Sequence, residues 1–359
     1  MYTLGTHFQQ LLTNIHPPQE RLDIARDLPP LVRDFLKQHK EFTTLRPHSH
    51  LVGSYGQDTS VGDVKDVDFL VRVDGKPEEN KPEAKQLIRD LKKVLDDLPE
   101  ALGYTGCASI DIERARRSIH IYFKGHDFHL DVVPCIAPNG FEEIIYVPDR
   151  GFNKWIKSHP VGVIKLLKEL NDDNGGKVRP LVKLLKHFRN YHMQTRKPKS
   201  YWLLALAIHH IRVTDDLDTT QPLAVLFHEL LDAIYCQYDH LLHTSDTATP
   251  NIPDPILEHN VSWNWSRTHF ETFMRRLDEG RRWSGKALNS DDKQDAIGWW
   301  QKVFGEEYFP SEVGDVASRL AEMGLPGRSL VTSSGLIVPS KSTTGIYTPV
   351  QQTTFHGET

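Results

Sequence analysis

The sequence predicts a two-lobed α+β protein with a mixed sheet core, a helical second lobe and a cleft between the lobes. Strand-like segments concentrate between residues 46 and 136, whereas helical apolar spacing dominates after about residue 150. A length of 359 residues also suits about two domains. We expect an N-terminal helical spine at 1–44, the sheet core at 45–150, the helical lobe at 151–324 and a flexible tail at 325–359.

The composition is ordinary for a globular protein, with 38% hydrophobic and 25% charged residues. Since no run of about 20 apolar residues and no signal-peptide pattern occur, we expect no membrane association and a cytoplasmic location. A net charge of −5 argues against a large constitutive surface for duplex nucleic acid. The cysteines match no zinc or redox spacing, which favours structural thiols at Cys107, Cys135 and Cys236.

Helical spacing begins near the N-terminus. A first pattern runs from Phe8 to Ile15 and stops at Pro17 and Pro18. A second pattern, from Leu22 to Leu36, contains the pair Pro29-Pro30. Because proline inside a helix removes a hydrogen bond and clashes with the preceding turn, we expect this second pattern to form two segments.

The stretch from His50 to Val73 carries the most informative residues. An apolar lead-in is followed by a Gly53-Ser54 turn, a loop, and a strand that contains Asp66 and Asp68. Residues two apart on a strand point to the same face, so both carboxylates project together. Two like charges on an otherwise apolar strand are costly unless a cation lies between them, and oxygen ligands favour Mg²⁺ or Mn²⁺. The pattern therefore predicts a magnesium-dependent site for nucleotidyl transfer.

Gly53 and Ser54 precede a predicted short helix. Backbone N–H groups at a helix start and a serine hydroxyl can hold phosphate oxygens. By itself a Gly-Ser pair is an ordinary turn. Its place shortly before the strand with Asp66 and Asp68 favours the phosphate-binding interpretation.

The rest of the core reads as a polar loop, a helix and three strands. The helix runs from Glu83 to Leu98, and the strands are Cys107–Ile112, Ser118–Phe123 and Phe128–Ile136. The turn between the last two strands predicts a hairpin.

The third of these strands places Asp131 among apolar neighbours. A third carboxylate completes the acid set that two-metal phosphoryl transfer requires. The alternative for Asp131 is a buried ion pair with an arginine, because three arginines lie between the two preceding strands: Arg114, Arg116 and Arg117.

The second half of the chain is predicted to be helical. The predicted helices cover Gly151–Asn171, Val178–His192, Ser200–Val213, Leu223–Leu242, Trp263–Leu277, Asp291–Phe304 and Ser311–Met323. Lys183 and Lys186 share one helix face. Lys186 sits among apolar residues, which suits a cation that meets phosphates; a solvated basic edge is the alternative, above all for Lys183.

Ser200 and Tyr201 open the next predicted helix. Ser200 would cap this helix and could also contact phosphate. Tyr201 could stack on a base, although core packing is the more common role of such an aromatic residue.

These motifs resemble a known family. GSYGQDTS, DVDFLV and HLDVVP resemble the nucleotidyltransferase superfamily that contains DNA polymerase beta and poly(A) polymerase. RPLVKLLKHFRNY, KSYWLLALAIHH, PNIPDPILEHNVSW and WWQKVFGEEYFP resemble the helical lobe of 2′-5′ oligoadenylate synthetase and cyclic GMP-AMP synthase. The chain is most similar to the bacterial branch, the CD-NTases of CBASS anti-phage systems, over about residues 8–310.

The resemblance implies a polymerase-beta-like fold and roles for individual residues. Asp66, Asp68 and Asp131 would be the catalytic acids that bind two Mg²⁺ ions, with Mn²⁺ as a substitute. Nucleotide would bind at seven positions: Gly53, Ser54, Gln57, Lys183, Lys186, Ser200 and Tyr201. Asp254 falls in a structural motif of the family, where it would cap a loop. Gln57 stands in a loop where the family often carries a basic residue.

The implied activity is the joining of nucleoside triphosphates, ATP among them, into a cyclic di- or trinucleotide messenger in anti-phage signalling, with release of pyrophosphate. Alternatives are synthesis of linear 2′-5′ oligonucleotides, extension of RNA 3′ ends, an inactive nucleotide sensor, or a toxin that modifies tRNA or protein. CBASS accessory proteins could bind through the tail at 325–359.

Overall fold

A seven-stranded mixed sheet forms the centre of the unit Pro17–Lys168. The computed structural model describes residues 2–104, 109–193, 195, 198–213, 218, 220–244, 247–313, 329–331 and 337–339. The strands are β1 (Thr44–Val52), β2 (Asp66–Val73), β3 (Ile110–Arg114), β4 (Ile119–Phe123), β5 (Phe128–Ile136), β6 (Ile145–Asp149) and β7 (Lys154–Ser158). Their order is β1-β2-β5-β4-β3, and β6 pairs with both β5 and β7. Only β2 and β5 pair in parallel among these strands; the sheet is therefore mixed, as predicted.

Alternating burial gives this sheet two different faces. Along β4 and most of β5, every second residue is buried, among them Ile121, Leu130 and Val132. The residues between them are less buried. The buried face packs under α2 (Gln19–Gln38) and α4 (Ala84–Leu95). The short helices α3 (Gly53–Gly56) and α5 (Leu98–Ala101) follow β1 and α4. On the other face, polar side chains occupy one end of β2 and β5, whereas Leu70 and Cys135 join a second, smaller apolar cluster.

Helix α2 is one continuous helix, so the predicted break at Pro29-Pro30 is wrong. The two prolines remove backbone donors, but the helix continues because residues on both sides of them bury the same apolar stripe. Ala25, Leu28 and Val32 are buried against the core. Tertiary packing thus outweighs the local preference of proline.

The segment predicted as one helix from Gly151 to Asn171 contains a strand and a helix. Residues Lys154–Ser158 form β7, which pairs antiparallel with β6, and α6 covers Pro160–Asp173. Pro160 begins the helix, a position where its missing N–H costs nothing. The apolar residues Trp155 and Ile156 suited a helical pattern and a strand equally well.

The second unit contains Met1–His16 and Glu169–Thr359. Its helices are α1 (Gly5–Asn14), α7 (Val178–His192), α8 (Ser200–Val213), α9 (Leu223–Tyr238), α10 (Arg267–Leu288) and α11 (Lys293–Phe304). Phe8 of α1 packs edge-on against Trp300 and Phe304 of α11, with ring centroids 4.9 and 5.8 Å apart. No helix in the described residues is long and apolar enough to cross a membrane.

The predicted N-terminal spine is divided between the units, because α1 belongs to the helical unit and α2 to the sheet unit. The functional boundaries at residues 44, 150 and 324 stay predictions. Most of the helix predicted at Ser311–Met323 and most of the tail lie outside the described residues. Within the tail, β8 (Ser329–Val331) pairs antiparallel with β9 (Ile337–Pro339).

The cysteines differ in environment. Cys135 is buried in β5, as expected of a structural thiol, whereas Cys236 is an exposed free thiol on α9. Cys107 lies outside the described residues.

Candidate active site

Three carboxylates lie on the open face of the sheet. Asp66 and Asp68 alternate with buried Val67 at the start of β2, so both point away from the core. Strand β5 runs parallel to β2, and its Asp131 is in register with Asp68. The structure thus brings together the three acids that the sequence predicted.

Gly53 lies against one of these carboxylates. The register of β1 and β2 places Val52 opposite Asp68, so the chain turns at Gly53 directly beside that side chain. Gly53 has φ +66°, and a Cβ atom there would lie 1.9 Å from Oδ2 of Asp68. The position requires glycine both for its left-handed backbone and for the close approach of the carboxylate.

The electrostatics of the acids reflect their crowding. Loss of hydration, followed by the charges of Asp131 and Asp66, raises the pKa of Asp68 to about 7, although its side chain keeps an exposed part on the sheet face. Burial likewise raises the pKa of Asp131, while a contact with His120 acts in the opposite direction. A nearby cation would relieve the repulsion that these shifts record.

The donor set suits a hard divalent cation. All three side chains offer carboxylate oxygens, the ligands that Mg²⁺ and Mn²⁺ prefer. Within the described part of the chain, no three His, Cys, Asp or Glu side chains already stand in a metal-binding arrangement. Asp66, Asp68 and Asp131 are therefore adjacent, and their carboxylate groups would have to turn toward a common ion to bind it.

The loop after Gly53 is held by its own side chains. Ser60 Oγ donates to Ser54 Oγ at 3.2 Å, and the Thr59 backbone N–H donates to the Ser54 carbonyl at 2.9 Å. Gln57 is only 6% exposed, and its Oε1 accepts a bond of 3.3 Å from the Thr59 hydroxyl. This placement suits Gln57 to shaping the loop; its predicted contact with nucleotide stays a prediction.

In the helical unit, Lys183 and Lys186 both lie on α7 and are 5% and 3% exposed. The alternative of a solvated basic edge is therefore wrong. Arg189, further along the same helix, donates from Nη2 to Ser200 Oγ at 3.0 Å and from Nη1 to the Pro198 carbonyl. This buried arginine fixes the start of α8.

Tyr201, the second residue of α8, is tied to a loop of the same unit. Its hydroxyl donates to Asp254 Oδ2 at 2.7 Å, and burial together with Asp254 raises the pKa of the Tyr201 hydroxyl. The other oxygen of Asp254 accepts from the backbone N–H groups of Ile256 and Leu257, at 3.0 and 2.9 Å. Asp254 caps this loop, as the sequence indicated, and also holds Tyr201.

The chain is similar to known proteins in both sequence and fold. The family model described as Second Messenger Oligonucleotide or Dinucleotide Synthetase domain (SMODS) matches residues 2–171. The matched region includes Gly53 and the three acids. The whole chain is similar to a protein named cyclic AMP-AMP-AMP synthase from Acinetobacter sp., with 27% identity over 351 residues that cover 94% of both chains. A probable cyclic AMP-AMP-GMP nucleotide synthase from Salmonella paratyphi B is 26% identical over 174 residues, 47% of this chain and 44% of that protein.

Solved structures share the fold of this chain. The CD-NTase CdnG of Bradyrhizobium diazoefficiens, in complex with GTP, superposes with a TM-score of 0.63 at 16% identity, over 85% of this chain and 96% of that one. CdnC of E. coli MS115-1 with ATP gives 0.61 at 18% identity, over 84% and 98%. The complex of CdnC with HORMA-deltaN gives 0.59 at 17% identity, over 82% and 94%. The predicted fold class and the resemblance to CD-NTases are confirmed.

The sequence reasoning missed His120. His120 lies opposite Asp131 in the antiparallel pairing of β4 and β5, and its Nδ1 is hydrogen-bonded to Asp131 Oδ1. The signal was available: the predicted hairpin pairs Phe123 with Phe128, and counting back along both strands pairs 120 with 131.

The alternative in which Asp131 pairs with arginine is not what the structure shows. Arg116 and Arg117 both direct Nε at the fully buried Asp149 of β6, at 2.9 and 3.3 Å. These ion pairs, with the side-chain contact of Arg116 on the Phe152 ring, join the β3–β4 and β6–β7 turns. Asp131 is thus left to His120 and to the neighbouring acids.

Proposed function

We propose that this protein joins nucleoside triphosphates into a cyclic di- or trinucleotide messenger, with release of pyrophosphate. The observation that carries the proposal is the register of Asp68 with Asp131 on parallel strands, with Gly53 packed against Asp68. The relatives named as cyclic oligonucleotide synthases support a cyclic product. A role in anti-phage signalling inside the cytoplasm belongs to the same proposal.

The three acids Asp66, Asp68 and Asp131 would hold two Mg²⁺ ions, with Mn²⁺ as a substitute. When bound, such ions lower the pKa of the attacking hydroxyl and neutralise the triphosphate. The protein contributes placement: Asp66 and Asp68 are fixed by one strand, and Asp131 by its in-register neighbour. Carboxylates held by a sheet need little reorganisation during the reaction. Such positioning and charge stabilisation are the main source of catalysis in phosphoryl transfer.

Each unit offers groups that would bind nucleotide. Gly53 and Ser54 would offer backbone N–H groups and a hydroxyl to phosphate oxygens, with Gln57 supporting their loop. In the helical unit Lys183, Lys186 and Ser200 would bind the triphosphate, and the ring of Tyr201 would stack on a base. The bond from Tyr201 to Asp254 orients that ring.

We propose ATP as a substrate, because the relative matched over 94% of both chains is named for a product of three AMP units. The complex of CdnC with a HORMA protein supports an accessory partner for this chain as well. Contact with such a partner through the tail at 325–359 stays a prediction.

The test is a reaction of the full chain with the four nucleoside triphosphates and Mg²⁺, followed by phosphatase treatment and mass spectrometry. We expect a phosphatase-resistant cyclic product, and a loss of at least about 100-fold in Asp68→Asn and Asp131→Asn, as for removal of other groups that stabilise developing charge. Asp111→Asn is the matched control: Asp111 lies on β3 and pairs with Lys124 at 2.8 Å, outside the three acids.

Each other outcome selects a rival. Products that phosphatase shortens indicate a linear oligonucleotide, and growth of an added RNA indicates terminal extension. Nucleotide binding that is independent of Mg²⁺, without turnover, indicates a sensor. A wild-type protein as silent as Asp68→Asn in both Mg²⁺ and Mn²⁺ overturns the enzymatic proposal.

A further inference from the structure

His120 is the cross-strand neighbour of Asp131 on the open face of the sheet. It lies on β4, and the antiparallel register with β5 sets the two residues directly opposite each other. Side chains so paired lie about 4.5–5.5 Å apart at Cβ, within reach of a direct contact. The imidazole Nδ1 and Asp131 Oδ1 form a hydrogen bond, and the side chains are 42% and 25% exposed.

The chemistry of the pair sets its direction. An ionised carboxylate has no proton to donate, so Nδ1 of His120 carries the proton and donates it to Asp131 Oδ1. One oxygen of Asp131 is thereby engaged, and Oδ2 is left for a cation. Groups that hydrogen-bond to a metal-binding carboxylate fix its orientation and influence the affinity of the site.

Asp131 needs such support because of its surroundings. It lies beside Asp68, and two carboxylates in register repel each other. Without a donor, Asp131 would lower this repulsion by turning away or by taking up a proton, and either change removes a metal ligand. Arg116 and Arg117, the nearby cations in sequence, are engaged with Asp149 and do not provide the donor.

We propose that His120 is a positioning residue, which holds Asp131 in the orientation that binds the metal ion. The inference rests on the proposed function, since that function makes Asp131 a metal ligand. It concerns a residue of β4 that neither touches substrate nor binds the ion itself. Its action is through the Asp131 carboxylate.

The experiment measures Mn²⁺ binding to the full chain by electron paramagnetic resonance of free Mn²⁺, without nucleotide. We expect His120→Ala to raise the dissociation constant about 10-fold or more, in the range seen when the support of a metal ligand is removed. His120→Asn keeps an N–H donor at a similar position and restores most of the affinity. Tyr122→Phe is the matched control, because it removes a bond of 3.1 Å from the same strand to Asp127 and should leave Mn²⁺ binding unchanged.

A double-mutant cycle separates positioning from a general structural effect. If His120 acts through Asp131, then His120→Ala causes no further loss in an Asp131→Asn background. Equal losses of Mn²⁺ affinity in both backgrounds, or wild-type affinity in His120→Ala, overturn the inference. The effect of Asp131→Asn alone still tests the metal site. Absence of Mn²⁺ binding by the wild type contradicts the proposed function instead. If His120→Ala fails to fold, His120→Phe takes its place, since it fills the same space without a donor.

Discussion

At the level of single residues, the candidate active site is defined by close approaches around Asp68. Gly53 lies against the Asp68 carboxylate, and Asp131 lies in register beside it. Asp66 precedes Asp68 by two positions and lies on the same face. Each contact is short because backbones, rather than flexible side chains, bring the groups together. Small changes here should therefore have large and specific effects.

Gly53→Ala is expected to disrupt the site. Its Cβ would lie 1.9 Å from Asp68 Oδ2, so Asp68 must move, and we expect Mn²⁺ affinity to fall about tenfold or more. Gly62→Ala is the matched control, because Gly62 has nearly the same φ, +65°, and no atom within 4 Å of the added Cβ. It should cost only the left-handed strain, about 1–2 kcal/mol in unfolding free energy, with normal Mn²⁺ binding. Thermal denaturation measures the stability of both variants, and titration measures their Mn²⁺ affinity. Equal Mn²⁺ affinities of the two variants would refute the prediction.

Asp68 should make stability depend on pH when metal is chelated. The folded protein keeps the Asp68 proton up to about pH 7, whereas the unfolded chain releases it near 3.8. Between these values the folded state binds more protons, so the free energy of unfolding contributed by this group falls as pH rises. Because Asp68 keeps an exposed part, water screens some of the repulsion.

We therefore expect the Tm of Asp68→Asn, measured in EDTA, to exceed that of the wild type by an amount that grows from pH 5 to pH 8. Addition of Mg²⁺ should raise the Tm of the wild type and not that of the variant, because a bound ion stabilises only the state that binds it. A Tm difference that is constant across this pH range would contradict the assignment.

At the scale of elements, burial decides where local signals are ambiguous. Helix α2 passes through Pro29-Pro30 since its apolar stripe is buried on both sides of the pair. Residues 154–158 become β7 because β6 offers them an edge to pair with. The burial of α2 and the pairing of β7 both depend on contacts outside the segment itself.

Pro30→Ala should stabilise the protein. The new N–H at position 30 can donate to the carbonyl of Arg26, and removal of an interior proline is worth about 3 kcal/mol, less about 1 kcal/mol for a more flexible unfolded chain. A net gain of about 2 kcal/mol corresponds to a rise in Tm of roughly 4–8 °C. Pro18→Ala is the control, because Pro18 precedes the first turn of α2 and its replacement adds no interior hydrogen bond. A Tm of Pro30→Ala at or below the wild-type value would show that the helix is adapted to its prolines.

At the scale of the whole molecule, the predicted functional groups belong to two units. The three acids and Gly53 belong to the unit Pro17–Lys168, whereas Lys186 and Tyr201 belong to the helical unit. Metal binding and nucleotide binding should therefore be separable by mutation.

Lys186→Met should weaken ATP binding about 10–100-fold, the effect of one lost charge-assisted hydrogen bond of about 1.5–3 kcal/mol. Mn²⁺ binding without nucleotide should remain normal, whereas Asp68→Asn should lose it. Lys286→Met on α10, which removes a contact of 4.4 Å with the Trp299 ring, is the control and should bind ATP normally. Calorimetric titration measures both ligands, and a parallel loss of Mn²⁺ binding in Lys186→Met would contradict the separation.

Features that depend on local periodicity could be predicted from the sequence alone. Alternation along β2 put Asp66 and Asp68 on one face, the turn after Phe123 predicted the hairpin of β4 and β5, and helical spacing predicted α7 and α8. These patterns repeat within a few residues, so no distant partner is needed to recognise them.

Which distant groups meet depends on the packing of the folded chain and could not be predicted in this way. Asp68 and Asp131 are 63 positions apart, and only the parallel pairing of β2 with β5 sets them side by side. The same holds for the ion pairs of Arg116 and Arg117 with Asp149, and for the burial of Lys186. The physical reason is that strand register and burial are set by the packing of the entire unit, which selects one arrangement among many that each local segment would accept.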